Sequence, residues 1–96
     1  MPLSKYYQLF HDTNLPILKA ISDDVKIGAY TSAKTKSHAV IGAALLLGAT
    51  DLTEAMRSFE HALLSLDSSS AMLHLNSAFA LVSAYDSKST HRRLKD

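Results

Sequence analysis

The chain has 96 residues, of which 47% are apolar, which is enough for one domain with one hydrophobic core. It has no cysteine, which excludes disulfides, cysteine nucleophiles and thiolate-bound zinc and fits a reducing compartment. Ten basic and nine acidic residues give a net charge of +1 and form no basic stripe, so nothing in the charge indicates a nucleic-acid-binding protein.

No segment of the sequence predicts a membrane span. The longest uncharged run near the centre, residues 37–50, is shorter than the roughly 18–20 apolar residues that a spanning helix needs. The N-terminus lacks the apolar stretch of a signal peptide. We therefore expect a cytoplasmic protein, either free-standing or the cytoplasmic end of a larger membrane-anchored one.

The first predicted element is helical but contains a proline. Pro16 removes one backbone donor and costs about 3 kcal/mol inside a helix. Either a helix ends near Thr13 and a second begins at residues 15–16, or one helix kinks there. The apolar stripe on both sides of the proline consists of Leu3, Tyr6, Tyr7, Phe10, Ile17, Leu18 and Ile21.

The next predicted element is one long helix over residues 25–49 that ends at Gly48. At 100° per residue, small apolar residues gather on one face and predict a tightly packed core side. His38 lies on the opposite face. The core face consists of Ala29, Ala33, Val40, Ala43, Ala44 and Leu47, and the face with His38 includes Thr31, Lys34, Ile41, Gly42 and Leu45. Lys36 does not fit, because the pattern places it near the core.

Two further helices follow, over residues 51–66 and 68–85. Asp51 with Glu54 indicates a capping box at the start of the first, and the serines at 68–70 are candidate N-caps of the second. The short connection makes the two helices antiparallel neighbours. Their predicted core faces are Leu52, Ala55, Met56, Phe59, Leu63 and Leu66, then Ala71, Leu75, Ala78, Val82 and Tyr85.

These elements predict an all-α protein. We expect an antiparallel four-helix bundle with an additional short or kinked N-terminal helix. The bundle is expected to span residues 1–86, followed by a polar tail at 87–96.

His38 and Gly42 form the most informative pair in the sequence. A glycine inside a helix costs roughly 0.5–1 kcal/mol relative to alanine, so its presence needs a reason. One turn from His38 it leaves a notch beside the imidazole, and Ile41 and Leu45 make the surroundings apolar. An apolar patch around a notch is typical of a docking site.

The spacing of these residues resembles the histidine phosphotransfer (HPt) domain of multistep phosphorelays. That family has a histidine, a lysine three residues on, a glycine at the fourth, then Leu-Gly-Ala, a leucine and a Leu-Glu pair. This chain has His38, Gly42, "LLGA" at 46–49, Leu52 and "FE" at 59–60, with no gap. At the family's lysine position it has Ile41.

The resemblance implies a phosphorelay intermediate, free-standing or the C-terminal domain of a hybrid sensor kinase. His38 would be the phospho-acceptor, and Lys34, Ser37, Ile41, Gly42 and Leu45 would contact the receiver domains of the kinase and of a response regulator. Those receivers would hold the Mg²⁺, while this domain binds no cofactor or metal. We expect a monomer with no nucleic-acid or direct membrane contact. Lys34 could substitute for the missing lysine.

Two other functions stay open from the sequence. The same surface could dock a receiver or kinase without being phosphorylated, or the chain could be an unrelated, self-associating helical module. His11, His61, His74 and His91 show no spacing typical of metal ligands, and we interpret them as ordinary surface or half-buried histidines. No nucleotide-binding motif is present, so no kinase activity of its own is expected.

Overall fold

The computed structural model describes residues 2–86, which form four α-helices and no strand. The helices are α1 (Pro2–Lys26), α2 (Tyr30–Leu47), α3 (Thr50–Leu64) and α4 (Ser68–Ser83). The predicted all-α four-helix bundle is confirmed. The predicted polar tail at 87–96 lies outside the described residues. In residues 2–86 no helix combines the length and apolarity that crossing a membrane requires.

Short turns make each helix antiparallel to the next, and the four helices close into a ring. Helix α1 packs against α2 and α4, and α3 packs against the same two. Within residues 2–86 the backbones of the diagonal pairs, α1 with α3 and α2 with α4, stay farther apart, with no Cα–Cα distance of 8 Å or less. Each helix therefore buries the side facing its two neighbours and leaves an outer face.

Helix α1 continues through Pro16 as one 25-residue helix, so there is no separate N-terminal helix. The proline ring is exposed, where the carbonyl that loses its partner can be hydrated. Phe10, Leu18 and Ile21 are buried on the other side of α1. Their continuous burial against the bundle offsets the lost hydrogen bond.

The predicted single helix over residues 25–49 is wrong, because a turn at Gly28 divides it between α1 and α2. Gly28 has φ +77°, a left-handed conformation that glycine adopts without steric cost. The Gly28 amide donates to the Val25 carbonyl, and the Ala29 amide donates to Asp24. This pair of bonds is the Schellman helix end.

The same helix end recurs at the other two turns. At the end of α2, Gly48 has φ +78° and donates to Leu45, while the Ala49 amide donates to the Ala44 carbonyl. Gly48 therefore ends the helix as predicted. At the end of α3 the left-handed residue is Leu66, with φ +55°, and the bonds run from Leu66 to Leu63 and from Asp67 to Ala62.

Both predicted helix caps are corrected by the structure. Helix α3 begins at Thr50 after Ala49, so Asp51 lies inside its first turn and no side chain caps it. Helix α4 is capped by Asp67 and not by a serine. Its carboxylate accepts bonds from the Ser70 amide (3.0 Å) and the Ser70 hydroxyl (2.8 Å). The backbone bond, with the hydroxyl bond, lowers the pKa of Asp67 below its ordinary value.

The hydrophobic core lies between the four helices and contains most of the predicted residues. Leu52, Met56 and Phe59 of α3 and Leu75 and Val82 of α4 are fully buried. Leu66 and Tyr6 are exceptions, because Leu66 belongs to the turn after α3 and is exposed, and Tyr6 of the predicted α1 stripe is 60% exposed. Tyr85 is half-buried and closes one end of the bundle, with its ring edge-on to those of Tyr7 and Phe10.

Candidate functional site

His38 lies in the middle of α2 on its outer face, with 61% of its side chain exposed. The helix is rigidly held because Ala33, Val40 and Ala44 on its other side are buried. Gly42, one turn later, is exposed, and a Cβ added there would meet no atom within 4 Å. Packing within the fold therefore does not require glycine at position 42. The missing side chain leaves open surface beside the imidazole.

A carboxylate from the neighbouring helix faces the His38 ring. Nδ1 of His38 lies 3.0 Å from Oε2 of Glu60 on α3, which is within ion-pair distance. The ring N–H is not aligned with this oxygen, which has no well-formed hydrogen bond within the described residues. A rotation of the ring would convert the contact into a hydrogen bond. The Glu60 side chain is only 14% exposed, so α2 and α3 hold it in place.

The contact distinguishes the two ring nitrogens of His38. A carboxylate beside Nδ1 favours the tautomer with the proton on that atom. Nε2, on the opposite edge of the ring, then carries the lone pair. Glu60 is not among the site residues that the sequence predicts, although the "FE" pair that contains it is part of the resemblance.

Two of the predicted docking residues are buried. Ile41 is only 9% exposed, and Ser37 is fully buried with no hydrogen-bond partner for its hydroxyl in the described part of the chain. Helix α3 packs beside α2, so the buried side of α2 is wider than the single small-residue face that the helical pattern showed. The outer surface at His38 is thus formed by Lys34, Gly42 and Leu45, with Ile41 beneath it.

Lys36 and Lys34 have different surroundings. The ammonium of Lys36 donates to the Asp24 carboxylate and to the Ser32 hydroxyl, each at 2.6 Å. The hydrogen bond from Lys36 lowers the pKa of Asp24. This contact explains why Lys36 lies toward α1 and not on the His38 face. Lys34, half-buried and one turn before His38, forms no ion pair with the described residues and is the α2 lysine available to a ligand at His38.

The remaining described histidines do not join this site. His61 and His74 line an open groove of about 440 Å³ between α3 and α4, together with Arg57 and Asp67. His11 contacts Asp12 at 2.9 Å, and this bond lowers the pKa of Asp12. Across residues 2–86, no three histidine or acidic side chains converge as metal ligands. His91 lies outside the described residues.

No family model, no curated protein and no solved structure matches this chain. The likeness to HPt domains therefore stays a resemblance between sequence patterns, with its spaced motif at residues 38–60. The contact between His38 and Glu60 is an independent structural feature of the same stretch.

Proposed function

We propose that the protein is a phosphorelay intermediate that accepts a phosphoryl group from a receiver-domain aspartate on His38 and passes it to a second receiver domain. The observation that carries the proposal is the exposed His38 imidazole with the Glu60 carboxylate 3.0 Å from its Nδ1. A rigid helix, an orienting carboxylate and open surface at the other ring edge are what a nucleophilic histidine needs.

The proposed transfer uses the Nε2 lone pair of His38. Nε2 attacks the phosphorus of the aspartyl phosphate, the bond between phosphorus and the carboxylate oxygen breaks, and the aspartate leaves as a free carboxylate. The proton stays on Nδ1, where Glu60 stabilises the positive charge that develops on the ring. The Mg²⁺ expected in the receiver would supply positive charge to offset that of the phosphoryl oxygens, and transfer to the second receiver is the reverse reaction.

Gly42 and Lys34 support this step from the same helix. Without a side chain at position 42, a partner's active site can approach the imidazole one turn away. Phosphorylation adds about 1.5 to 2 negative charges, by analogy with other phosphorylated side chains. Lys34 lies one turn on the other side of His38 and can offset part of that charge.

A docking-only adaptor is the second candidate, and the burial of Ile41 favours it. The family that this chain resembles has a lysine at that position, whereas here an apolar side chain is 9% exposed in the bundle. No cation thus reaches the phosphoryl group from the turn after His38. In this alternative the surface around His38 and Leu45 binds a receiver or a kinase, and no phosphoryl group is transferred.

Phosphoryl transfer from a panel of phosphorylated receiver domains tests the proposal. We expect acid-labile, base-stable label on the wild type and none on His38→Gln. His61→Gln is the matched control, because His61 is an exposed histidine next to Glu60 in sequence but on a different face of α3. Label that survives His38→Gln overturns the proposal. Binding without label supports the adaptor.

A further inference from the structure

We propose that the groove between α3 and α4 binds a phosphorylated sugar or polyol. The phosphoryl group binds Arg57, His61 and His74, and the ligand's hydroxyl groups lie toward Asp67 at the turn between the two helices. The groove is open and measures about 440 Å³. This volume falls within the roughly 300–1,000 Å³ that small-molecule sites occupy. No residue of the His38 surface lines the groove, so the inference does not rest on the proposed function.

Two pairs of side chains, each one helical turn apart, face each other across the groove. Arg57 and His61 share a face of α3, and Ser70 and His74 share a face of α4. The two helices are antiparallel neighbours joined by a short turn, so these faces lie side by side. The guanidinium and the two imidazoles therefore converge on one groove from two helices.

These three side chains have no partner within the described chain. The Arg57 guanidinium and the rings of His61 and His74 form no hydrogen bond or ion pair with residues 2–86. His74 is also half-buried, so part of its ring has lost contact with water, and a ligand oxygen there would restore a hydrogen bond. By contrast, a second groove of about 530 Å³ beside the turn at Gly28 is lined by a single cation, Lys26.

A phosphoryl group fits this set of donors. An arginine guanidinium donates two parallel hydrogen bonds to a phosphate, and a histidine ring donates from one nitrogen when neutral and from both when protonated. The hydroxyl of Ser58 lines the groove beside Arg57 and adds a donor. Arg57 and His74 each lie about 10 Å along the bundle from the turn that contains Asp67. The phosphoryl group can therefore bind away from that carboxylate.

The end of the groove at the turn favours hydroxyl groups. The Asp67 carboxylate accepts bonds from the Ser70 amide (3.0 Å) and hydroxyl (2.8 Å), and its oxygens have lone pairs left for a ligand hydroxyl. Its negative charge disfavours a phosphoryl group at this end and so fixes the direction of the ligand. The residues that line the groove include no aromatic ring on which a nucleobase could stack. This combination matches a polyol phosphate, either free or as the headgroup of an inositol lipid.

NMR titration of the isotope-labelled full chain with glucose-6-phosphate tests the inference, with inorganic phosphate and glucose as reference probes. We expect saturable shifts of the His61 and His74 ring signals, and tighter binding of glucose-6-phosphate than of either reference. Arg57→Gln should weaken this binding about tenfold, because a charged bidentate contact is lost. Lys19→Gln is the matched control, because Lys19 is exposed on α1, does not line the groove and loses the same charge.

Sedimentation with vesicles that contain a phosphorylated inositol lipid distinguishes the two sources of the ligand. Vesicle binding that Arg57→Gln abolishes, without binding of free glucose-6-phosphate, supports the site and assigns the lipid headgroup to it. Binding of glucose-6-phosphate without vesicle binding supports the site and assigns a free sugar phosphate.

Several outcomes would overturn the inference. Arg57→Gln that binds as tightly as wild type excludes the groove, and equal losses with Arg57→Gln and Lys19→Gln show a general charge effect. Binding of inorganic phosphate as tight as that of glucose-6-phosphate shows that the hydroxyl end contributes nothing. Absence of binding to both the free probes and the vesicles also overturns it. Label on His38, or its absence, changes none of these results.

Discussion

Gly48 and Gly42 lie six residues apart, and the fold requires glycine at only one of them. Gly48 ends α2 with φ +78°, a conformation that strains other residues. Gly42 lies inside α2, where alanine would be the better helix former. In both cases an added Cβ would meet nothing within 4 Å. The backbone conformation therefore requires glycine at position 48, whereas neither conformation nor packing requires it at position 42.

The turn at Leu66 is the converse case, because it has the backbone of a glycine turn with a leucine in it. The two backbone hydrogen bonds that close this turn follow the same pattern as those at Gly28 and Gly48. It is followed by α4, whose N-cap Asp67 accepts a side-chain hydrogen bond, whereas α2 and α3 begin at alanines without one. The cap fixes the chain just after the strained residue and offsets part of its cost.

The largest effect is expected at the turn glycine. Gly48→Ala should lower the free energy of unfolding by about 1–2 kcal/mol, because the loss is backbone strain at positive φ and not a clash. Urea unfolding followed by circular dichroism measures it. Gly28→Ala should behave alike. An unchanged midpoint for both variants would contradict the strain interpretation.

Leu66→Gly should act in the opposite direction. Removing the side chain relieves the left-handed strain, and the added freedom of the unfolded chain cancels part of the gain, so we expect a net stabilisation of about 1 kcal/mol. The same unfolding experiment applies. Leu64→Gly, inside the last turn of α3, is the contrasting control and should destabilise. A less stable Leu66→Gly protein would show that the leucine contributes contacts that outweigh its strain.

Gly42→Ala should change the free energy of unfolding less than the turn-glycine variants do, and in the opposite direction to Gly48→Ala. We expect the free energy of unfolding to rise by about 0.5–1 kcal/mol, because a helix-interior glycine is replaced without any clash. Receiver binding and label on His38 should fall at the same time. Gains in both stability and transfer would refute the role of the notch.

Acid should lower the stability of the protein at the start of α4, because it protonates the N-cap residue Asp67, which follows Leu66. The pKa of Asp67 is lowered in the folded state, so its stabilising effect is present above the ordinary aspartate pKa of about 3.9 and is lost as the pH falls through the lower folded value. Asp67→Asn keeps an acceptor without the titration. The stability difference between wild type and this variant should shrink below about pH 4, and a constant difference would contradict the assignment.

The helices were largely predictable because their core faces repeat at helical spacing, as with Leu52, Met56 and Phe59. The turn at Gly28 was missed because the apolar pattern continues across it, although the glycine itself was the signal. The site was predicted less completely. The periodicity of one helix cannot show where a second helix packs. For this reason the pattern predicts Ile41 and Ser37 on the exposed docking surface and does not indicate Glu60 as a site residue. Only the antiparallel pairing of α2 with α3 brings Glu60 to His38.

The ring arrangement also makes the molecule convenient to follow by fluorescence. Helix α4 lies diagonally across the bundle from α2 within residues 2–86, so a dye on the outer face of α4 stays clear of His38. The chain has no cysteine, and a single Leu73→Cys substitution would therefore give one unique attachment point. The fluorescence anisotropy of that dye would rise when a partner binds on the opposite side of the bundle.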